Sequence, residues 1–426
     1  MPAERVLLVT IQLDPRFTRG SPAWSLEDEA AELKELVVSD GCQMAGEVLV
    51  KRHEPISGTF LGSGKLEEIG QLAAQRRAQA VIFSHELSPA QQRNIEEILG
   101  VKTIDRTQLI LDIFAQRAKS QEGKVQVELA QLRYILPRLT GKGVMLSRLG
   151  GGIGTRGPGE QKLEVDRRRI RQRISRLSDE LRQLGARRQA MRSRRKETEV
   201  PVAALVGYTN AGKTTLLNRL SGAGSTAKDQ LFTTLDPLAR RVKLRRSGET
   251  IVLTDTVGFL HHLPHHLIEA FKATLEEARD ADILLHVLDV SHPLLADHAK
   301  AVEDVLKKLG LSDKPFITVL NKADLFQATR TGLRLEAFER TYEPAVSISA
   351  KTGEGIDELD GMLSDHLTAL FIKPSRLRLP MERADLLASV YRDGQVLHRT
   401  EQEGMVEVTA RLSAKLKAAL EAYLLS

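Results

Sequence analysis

Eight consecutive residues, Gly207-Tyr208-Thr209-Asn210-Ala211-Gly212-Lys213-Thr214, constrain this chain more than any other feature. They match the phosphate-binding pattern G-x-x-x-x-G-K-[ST], and they stand where such a loop has to stand. Val202 to Val206 reads as a short buried strand leading in, and Leu216, Leu217 and Leu220 fall at helical spacing behind. A strand, a glycine-bearing turn and a helix aim backbone amides and a helix N-terminus at an anion. Lys213 is expected to reach the outer phosphates and Thr214 to ligate Mg²⁺ through its hydroxyl. An ordinary glycine-containing turn would need neither flanking element.

The base is read from a second segment. Asn321-Lys322-Ala323-Asp324 follows the apolar stretch Phe316 to Leu320. A carboxylate at Asp324 accepts two hydrogen bonds from the N1–H and 2-amino group of guanine, a donor pair that adenine lacks. The wrong base therefore leaves a polar group unpaired. Between the two segments stands Asp255-Thr256-Val257-Gly258, after the strand Ile251 to Thr254. Its aspartate suits Mg²⁺ and the Gly258 amide suits a γ-phosphate. Ser349-Ala350-Lys351, after Ala345 to Ile348, is placed to back the base with an amide and an aliphatic stem. Four segments, each at the end of a predicted strand, belong on the carboxyl edge of an open α/β sheet. The fold class expected is α/β, with a GTP-binding switch domain over 199–373.

Composition bounds the rest. A chain of 426 residues with 42% apolar content has room for about three domains, and it contains no run of 18 apolar residues. The N-terminus lacks the long apolar stretch of a signal peptide. The lone Cys42 excludes an internal disulfide and a thiolate cluster. A cytoplasmic protein without a membrane span is expected, monomeric, in part associated with ribosomes or a membrane surface. Net charge is +6, yet residues 138 to 200 hold 18 Lys+Arg against 7 Asp+Glu, a net of +11, which leaves the remainder at −5. A basic segment on an otherwise acidic chain points to a polyanion, nucleic acid first.

Over 1–104, strands Val6 to Leu13, Glu47 to Lys51, Ala80 to Phe83 and Val101 to Ile104 alternate with helices. The helices run from Ser25 to Val38, from Lys65 to Arg77, and from Ser88-Pro89 to about Leu99. A small α/β domain with a largely parallel sheet is expected. Gly62-Ser63-Gly64-Lys65 inside it imitates half a phosphate loop. However, Thr59 takes the place of the first glycine and Leu66 follows the lysine where Ser or Thr is needed, so a helix-capping turn is the stronger reading.

Residues 105–198 have a different texture. Val125, Leu129, Leu132, Leu136 and Leu139 are spaced 4, 3, 4, 3, and Ile170, Ile174, Leu177, Leu181 and Leu184 repeat that spacing. Two such arms suit an antiparallel helical hairpin zipped by an apolar seam, with Pro137 ending or kinking the first. Between them, residues 141 to 159 hold eight glycines, within a linker placed at 141–160. A connector is one reading; an arginine-bearing tip held out by two arms is the other. Arg167, Arg168, Arg169, Arg171, Arg173 and Arg176 on the second arm favour RNA contact.

The order of these parts resembles the HflX family of ribosome-associated GTPases. The α/β domain is followed by the hairpin with Gly151-Gly152-Ile153-Gly154-Thr155-Arg156-Gly157-Pro158-Gly159-Glu160, by the phosphate loop, by Leu231-Phe232-Thr233-Thr234-Leu235-Asp236-Pro237, and by Asp255-Thr256-Val257-Gly258-Phe259. The resemblance covers residues 1 to 373. It implies GTP hydrolysis, binding to the large ribosomal subunit and its rRNA, and splitting of stalled ribosomes under heat or other stress. It also implies that Phe232 to Asp236 lie on the nucleotide, with Thr234 ligating Mg²⁺ and sensing the γ-phosphate. Residues 374–426 lie outside it; strands from Leu386 to Val396 and Val406 to Ala410 and a helix from Ala414 to Leu425 suggest a small accessory domain.

Phe259 stands where signalling GTPases carry a water-orienting glutamine, and a phenyl ring neither orients nor deprotonates water. Asn210 matches a potassium-coordinating asparagine of related GTPases, so K⁺ joins Mg²⁺ as an expected cofactor; loop geometry alone accounts for it equally well. The groups expected to act in hydrolysis are Lys213, Thr234, Gly258 and Asn210. His261, His262, His265 and His266 surround Pro264 without a further ligand class, and a mobile switch segment suits them better than a metal. Two other functions share the motifs. One is a GTPase of large-subunit assembly; the other is a GTP-gated RNA-binding scaffold with little turnover, for which Phe259 is the main argument.

Overall fold

The computed structural model describes residues 3–17, 24–139, 158–197, 200–222, 238–260, 272–326, 334–371, 375–402, 404–412 and 414–425. The chain opens with β1 (Arg5–Leu13), α1 (Leu26–Asp40), β2 (Gln43–Arg52), α2 (Ser63–Gln75), β3 (Ala80–Phe83), α3 (Pro89–Leu99) and β4 (Lys102–Ile104). The four strands form one sheet in the order β2-β1-β3-β4, parallel throughout. Local chemistry starts the helices where expected. The Ser25 hydroxyl accepts from the Asp28 amide ahead of α1, and Ser88 and Gln91 form a reciprocal capping box ahead of α3. The imitation phosphate loop is a helix start: Gly62 caps α2, and Lys65 pairs with Glu68 at 2.7 Å.

Helix α4 (Arg106–Arg117) packs on α1 and β3, which groups it with this sheet, although the sequence placed it with the helical segment. The hairpin follows as α5 (Gln121–Arg138) and α6 (Pro158–Glu197). The pair is antiparallel: Gln121 donates to Glu180, and Arg173 makes a two-pronged bond of 2.7 and 2.8 Å to Glu128. Val125, Leu129 and Leu177 are buried between the arms, with Leu132, Ile174 and Leu181 packed against them. Pro137 falls one residue before the end of α5. There Arg138 donates to the Leu87 carbonyl and to Asp105, fastening the arm to the N-terminal unit.

The third unit contains β5 (Val202–Gly207), α7 (Lys213–Ser221), β6 (Leu238–Lys243), β7 (Thr250–Asp255), α8 (Lys272–Asp280) and β8 (Ile283–Asp289). It continues through α9 (Leu295–Lys308), β9 (Phe316–Asn321), α10 (Leu335–Thr341), β10 (Ala345–Ser347) and α11 (Ile356–Phe371). Its sheet runs β10-β9-β8-β5-β7-β6, parallel except for β6 at the edge. From β5 the chain order departs in both directions, so the end of β5 is the point at which an open sheet forms its binding crevice.

The last unit is β11 (Ser375–Pro380), α12 (Ala384–Asp393), β12 (Gly394–Gln402), β13 (Met405–Leu412), α13 (Ala414–Ala419) and β14 (Leu424–Leu425). Its antiparallel sheet is ordered β12-β13-β11-β14, which with this succession is the split β-α-β-β-α-β arrangement. The strand expected from Leu386 to Val396 is corrected: it is helix to Asp393 and strand only from Gly394. Asp385 in the first turn and Leu386 and Val390 one helical turn apart favour helix there. Among the described residues no helix is long and apolar enough to cross a membrane.

Candidate functional site

The phosphate loop leaves β5 at Gly207 and enters α7 at Lys213, with Gly212 at φ +94° as the turn into the helix. A Cβ at Gly212 would lie 2.2 Å from Asn321 Nδ2, so only glycine fits between loop and neighbouring strand. Asn321 is the hub of the edge. Its Nδ2 donates to the Ala211 carbonyl at 2.8 Å, and its Oδ1 accepts from the Ala350 amide at 2.9 Å. One buried amide thus joins the phosphate loop, the end of β9 and the segment after β10. On the far side, Arg219 from α7 donates to the carbonyls of Ala350 and Lys351. Ser349 is buried, and its hydroxyl accepts from Thr352. Lys322, in the left-handed region at φ 63°, sends its ammonium to Asp289 at 2.8 Å, while Asp324 is exposed.

At the other end of the loop, the Thr214 hydroxyl donates to Asp255 Oδ2 at 2.7 Å. A hydroxyl and a carboxylate oxygen held together are the hard donors that suit Mg²⁺, so the residues present fit that ion. Thr256 is buried, with its hydroxyl on the Leu205 carbonyl, and Val257 is buried beside it. Gly258 sits hard against the loop, where a Cβ would stand 2.7 Å from Thr209 Cγ2. Phe259 pairs with Tyr208 as a parallel bridge: its amide donates to the Gly207 carbonyl, and its carbonyl accepts from the Thr209 amide at 2.8 Å. The Thr209 amide is therefore committed to Phe259, whereas the sequence alone assigns every loop amide to phosphate. Asn210 takes the left-handed region at φ 61°, a conformation that asparagine tolerates better than most residues.

Lys213 is buried, and its ammonium donates to the carbonyls of Gly207 at 3.0 Å and Tyr208 at 2.8 Å. Burial pushes its pKa down to about 8, with Asp255 opposing the shift. His286 on β8 lies under the loop; burial and the Lys213 charge push it down to about 4, so its ring is neutral at physiological pH. The Thr209 hydroxyl is buried and makes no hydrogen bond.

Phosphate-loop, aspartate-glycine, base-reading and Ser-Ala-Lys segments thus meet on one sheet edge. Phe232, Thr233, Thr234, Leu235 and Asp236 lie outside the described residues, as do the four histidines from His261 and the glycine-rich tip. Of the arginines on α6, Arg168, Arg169, Arg171, Arg173 and Arg176 are exposed and Arg167 is half-buried. Sequence reasoning missed what lies behind the loop. The Tyr208 hydroxyl donates to Glu32 of α1, Arg106 of α4 pairs with the same carboxylate, and the Tyr208 ring stacks on His298 of α9. The one available signal was a bulky aromatic at a loop position that needs no side chain.

Models of four protein regions match in order. They are the N-terminal region of GTP-binding GTPases over residues 27–115, their middle region over 117–195, a 50S ribosome-binding GTPase over 202–322, and an HflX C-terminal domain over 336–425. The last extends the likeness past residue 373, where the sequence motifs end. The chain is 47% identical to GTPase HflX of Lacrimispora saccharolytica over 418 residues, covering 98% of this chain and 95% of that one. It is 43% identical to GTPase HflX of Escherichia coli over 380 residues, covering 89% and 87%. A crystal structure of SsGBP with GDP is 26% identical, with a TM-score of 0.47, covering 87% of this chain and 100% of that one.

Proposed function

This chain belongs to the HflX family of GTPases and is a GTP hydrolase, and from that premise we propose that it binds the large ribosomal subunit and splits stalled ribosomes. The observation that carries the reading is continuity. The basic arm α6 runs to Glu197, and the strand bearing the phosphate loop begins at Val202. The helix therefore leads into the strand that ends in the phosphate loop, and it carries exposed arginines suited to a phosphate backbone.

In this proposal Asp324 reads guanine, with the aliphatic stem of Lys351 beside the base, while Lys213 and the Gly258 amide hold the outer phosphates. Thr214 and Asp255 hold Mg²⁺, with Thr234 added, and the ion supplies positive charge to the phosphate oxygens when bound. Asn210 adds K⁺ beside them. Phe259 gives no group to water, and both its backbone polar groups are tied to the loop. Turnover by the protein alone is accordingly slow, and the large subunit completes the catalytic set. The protein acts in the cytoplasm as a monomer, under heat or other stress. The glycine-rich tip between the arms enters the ribosome, and Arg167, Arg168, Arg169 and Arg171 neutralise rRNA phosphates.

Sedimentation of intact ribosomes with the protein and GTP tests the proposal. Conversion to free subunits, lost on deleting residues 147–158 while GTP binding persists, is the expected result. Ribosomes left intact by a protein whose GTPase responds to large subunits would favour a role in subunit assembly instead. Turnover unchanged by added subunits would favour a nucleotide-gated scaffold, the reading that Phe259 supports.

A further inference from the structure

The core of the N-terminal unit does not stop at its border with the nucleotide unit. One apolar cluster runs from β1, α1 and α4 through Trp24 to Tyr208, Val257 and Phe259. At its centre lies a charged group. Tyr208 is 4% exposed, and its hydroxyl donates to Glu32 Oε1. Arg106 Nη2 donates to Glu32 Oε2, with Glu32 9% and Arg106 6% exposed. The tyrosine ring is clamped flat against His298, centroids 3.8 Å apart and planes 5° from parallel, and Trp24 stands 6.5 Å away on the same side of the loop.

A buried ion pair is a poor way to gain stability, because apolar residues of the same volume usually do as well or better. What the pair gives is position. Its carboxylate takes a charge-assisted bond from the tyrosine hydroxyl, and such bonds are directional. The backbone carbonyl of that same tyrosine accepts from Lys213 Nζ at 2.8 Å, and its neighbour Thr209 donates to Phe259. The side chain of Tyr208 is therefore held by the N-terminal unit while its backbone holds the phosphate-binding lysine. The side-chain chemistry has no other use in the loop, since phosphate is bound by backbone and by Lys213.

We infer that Glu32 is a positioning residue for GTP hydrolysis, acting through Tyr208 to set where Lys213 stands, and that through this contact the N-terminal unit senses the nucleotide. Coupling of this kind is reciprocal: whatever the nucleotide does to the Tyr208–Glu32 contact, the contact does to nucleotide affinity. The inference depends on GTP hydrolysis alone and stands apart from any role on the ribosome.

Trp24 is the only tryptophan of the chain, and it lies 5.6 Å from His298 and 6.5 Å from Tyr208. Its fluorescence reports on this junction without labelling. The full-length protein is titrated with Mg²⁺·GDP and with Mg²⁺·GMPPNP, and kcat and KM for GTP are measured, for the parent, Tyr208→Phe, Glu32→Gln and the double variant. In the parent, Trp24 emission differs between the two nucleotides. Tyr208→Phe keeps the ring and its stacking, so the protein stays folded with a midpoint lowered by no more than one lost buried hydrogen bond, yet the difference in emission disappears. Its kcat falls about fivefold or more, the low end of ordinary coupling between sites, with KM changed less than kcat. In kcat the double variant falls no further than Glu32→Gln alone, since the Tyr208–Glu32 link is already broken there. A folded Tyr208→Phe protein with parental emission and parental kcat overturns the inference, as does a double variant whose losses multiply. If Glu32→Gln fails to fold, Tyr208→Phe alone decides.

Discussion

Replacing Asn321 with alanine tests the assembly of the nucleotide edge. Asn321 is 2% exposed and joins two backbone groups, the Ala211 carbonyl at 2.8 Å and the Ala350 amide at 2.9 Å. Ala211 and Ala350 are themselves 1% and 3% exposed, so neither group turns to bulk water when the amide is removed. Stranding a buried polar group costs about 1–3 kcal/mol, and two such groups give about 2–6 kcal/mol. The vacated carboxamide volume admits a water that rebonds at least one of them, which places the expected loss in the lower half, about 2–4 kcal/mol. Asn321→Asp separates the two bonds. The Ala350 bond survives, but a carboxylate oxygen now faces the Ala211 carbonyl, so the phosphate loop is pushed away from β9 while the Ser-Ala-Lys segment stays. GDP affinity then falls further for Asn321→Asp than its unfolding midpoint alone would predict. The measurements are urea unfolding of the nucleotide unit and titration with a fluorescent GDP analogue. A loss below about 1 kcal/mol for Asn321→Ala, with parental GDP affinity, would refute the hub.

Asp324→Asn should weaken GTP by roughly tenfold to a hundredfold, as expected for losing charge-assisted bonds, and recover affinity for xanthosine nucleotides; a direct competition titration reads both. Lys213 stands at about 8 and is half deprotonated near that pH, and a bound phosphate favours its charged form and raises its pKa. GDP binding at pH 8 should therefore take up about half a proton and at pH 6.5 almost none, as calorimetry in two buffers of unlike ionisation enthalpy will register. Leu177→Ala, at a fully buried seam position, should destabilise the hairpin by about 2–5 kcal/mol and leave GDP affinity unchanged. Hydrogen exchange along α5 and α6 reads the first effect, and protection equal to the parent's would mean that the seam does not hold the arms together.

The nucleotide edge was legible because each of its parts is local. Asp255, Asn321 and Ala350 follow apolar strands whose lengths put them on one side of any parallel sheet, and the register of β5, β7, β8 and β9 does so. The hairpin was legible for the same reason, since Val125, Leu129 and Leu132 in one arm and Ile174, Leu177 and Leu181 in the other repeat at a period that a helix converts into a stripe. The Tyr208–Glu32 contact was not. Its partners stand 176 residues apart, and nothing in either neighbourhood marks the other. Charge gave no help either, because Glu32 follows Glu27, Asp28 and Glu29 in the same helix and nothing in its spacing sets it apart from them. In the last unit the misreading was one of period. Leu386 and Val390 belong to a helix of ten residues, too short for its stripe to stand out against the β-branched strand that follows. In β11, Arg376-Leu377-Arg378-Leu379 alternates cleanly, with Leu377 and Leu379 buried, over a stretch only four residues long.

The length of α6 has a consequence in simple geometry. Its 40 residues make a rod about 60 Å long, at 1.5 Å per residue. One end lies five residues before the strand that carries the phosphate loop, and the other meets the glycine-rich segment. The far portion of the rod lies alongside α5, whose last residue, Arg138, is tied to Leu87 and Asp105 of the N-terminal unit. The rod is thus held near both ends, to the N-terminal unit through α5 and to β5 through the few residues after Glu197. α6 is accordingly a strut rather than a free arm, and it sets the distance between the amino end of β5 and the glycine-rich segment.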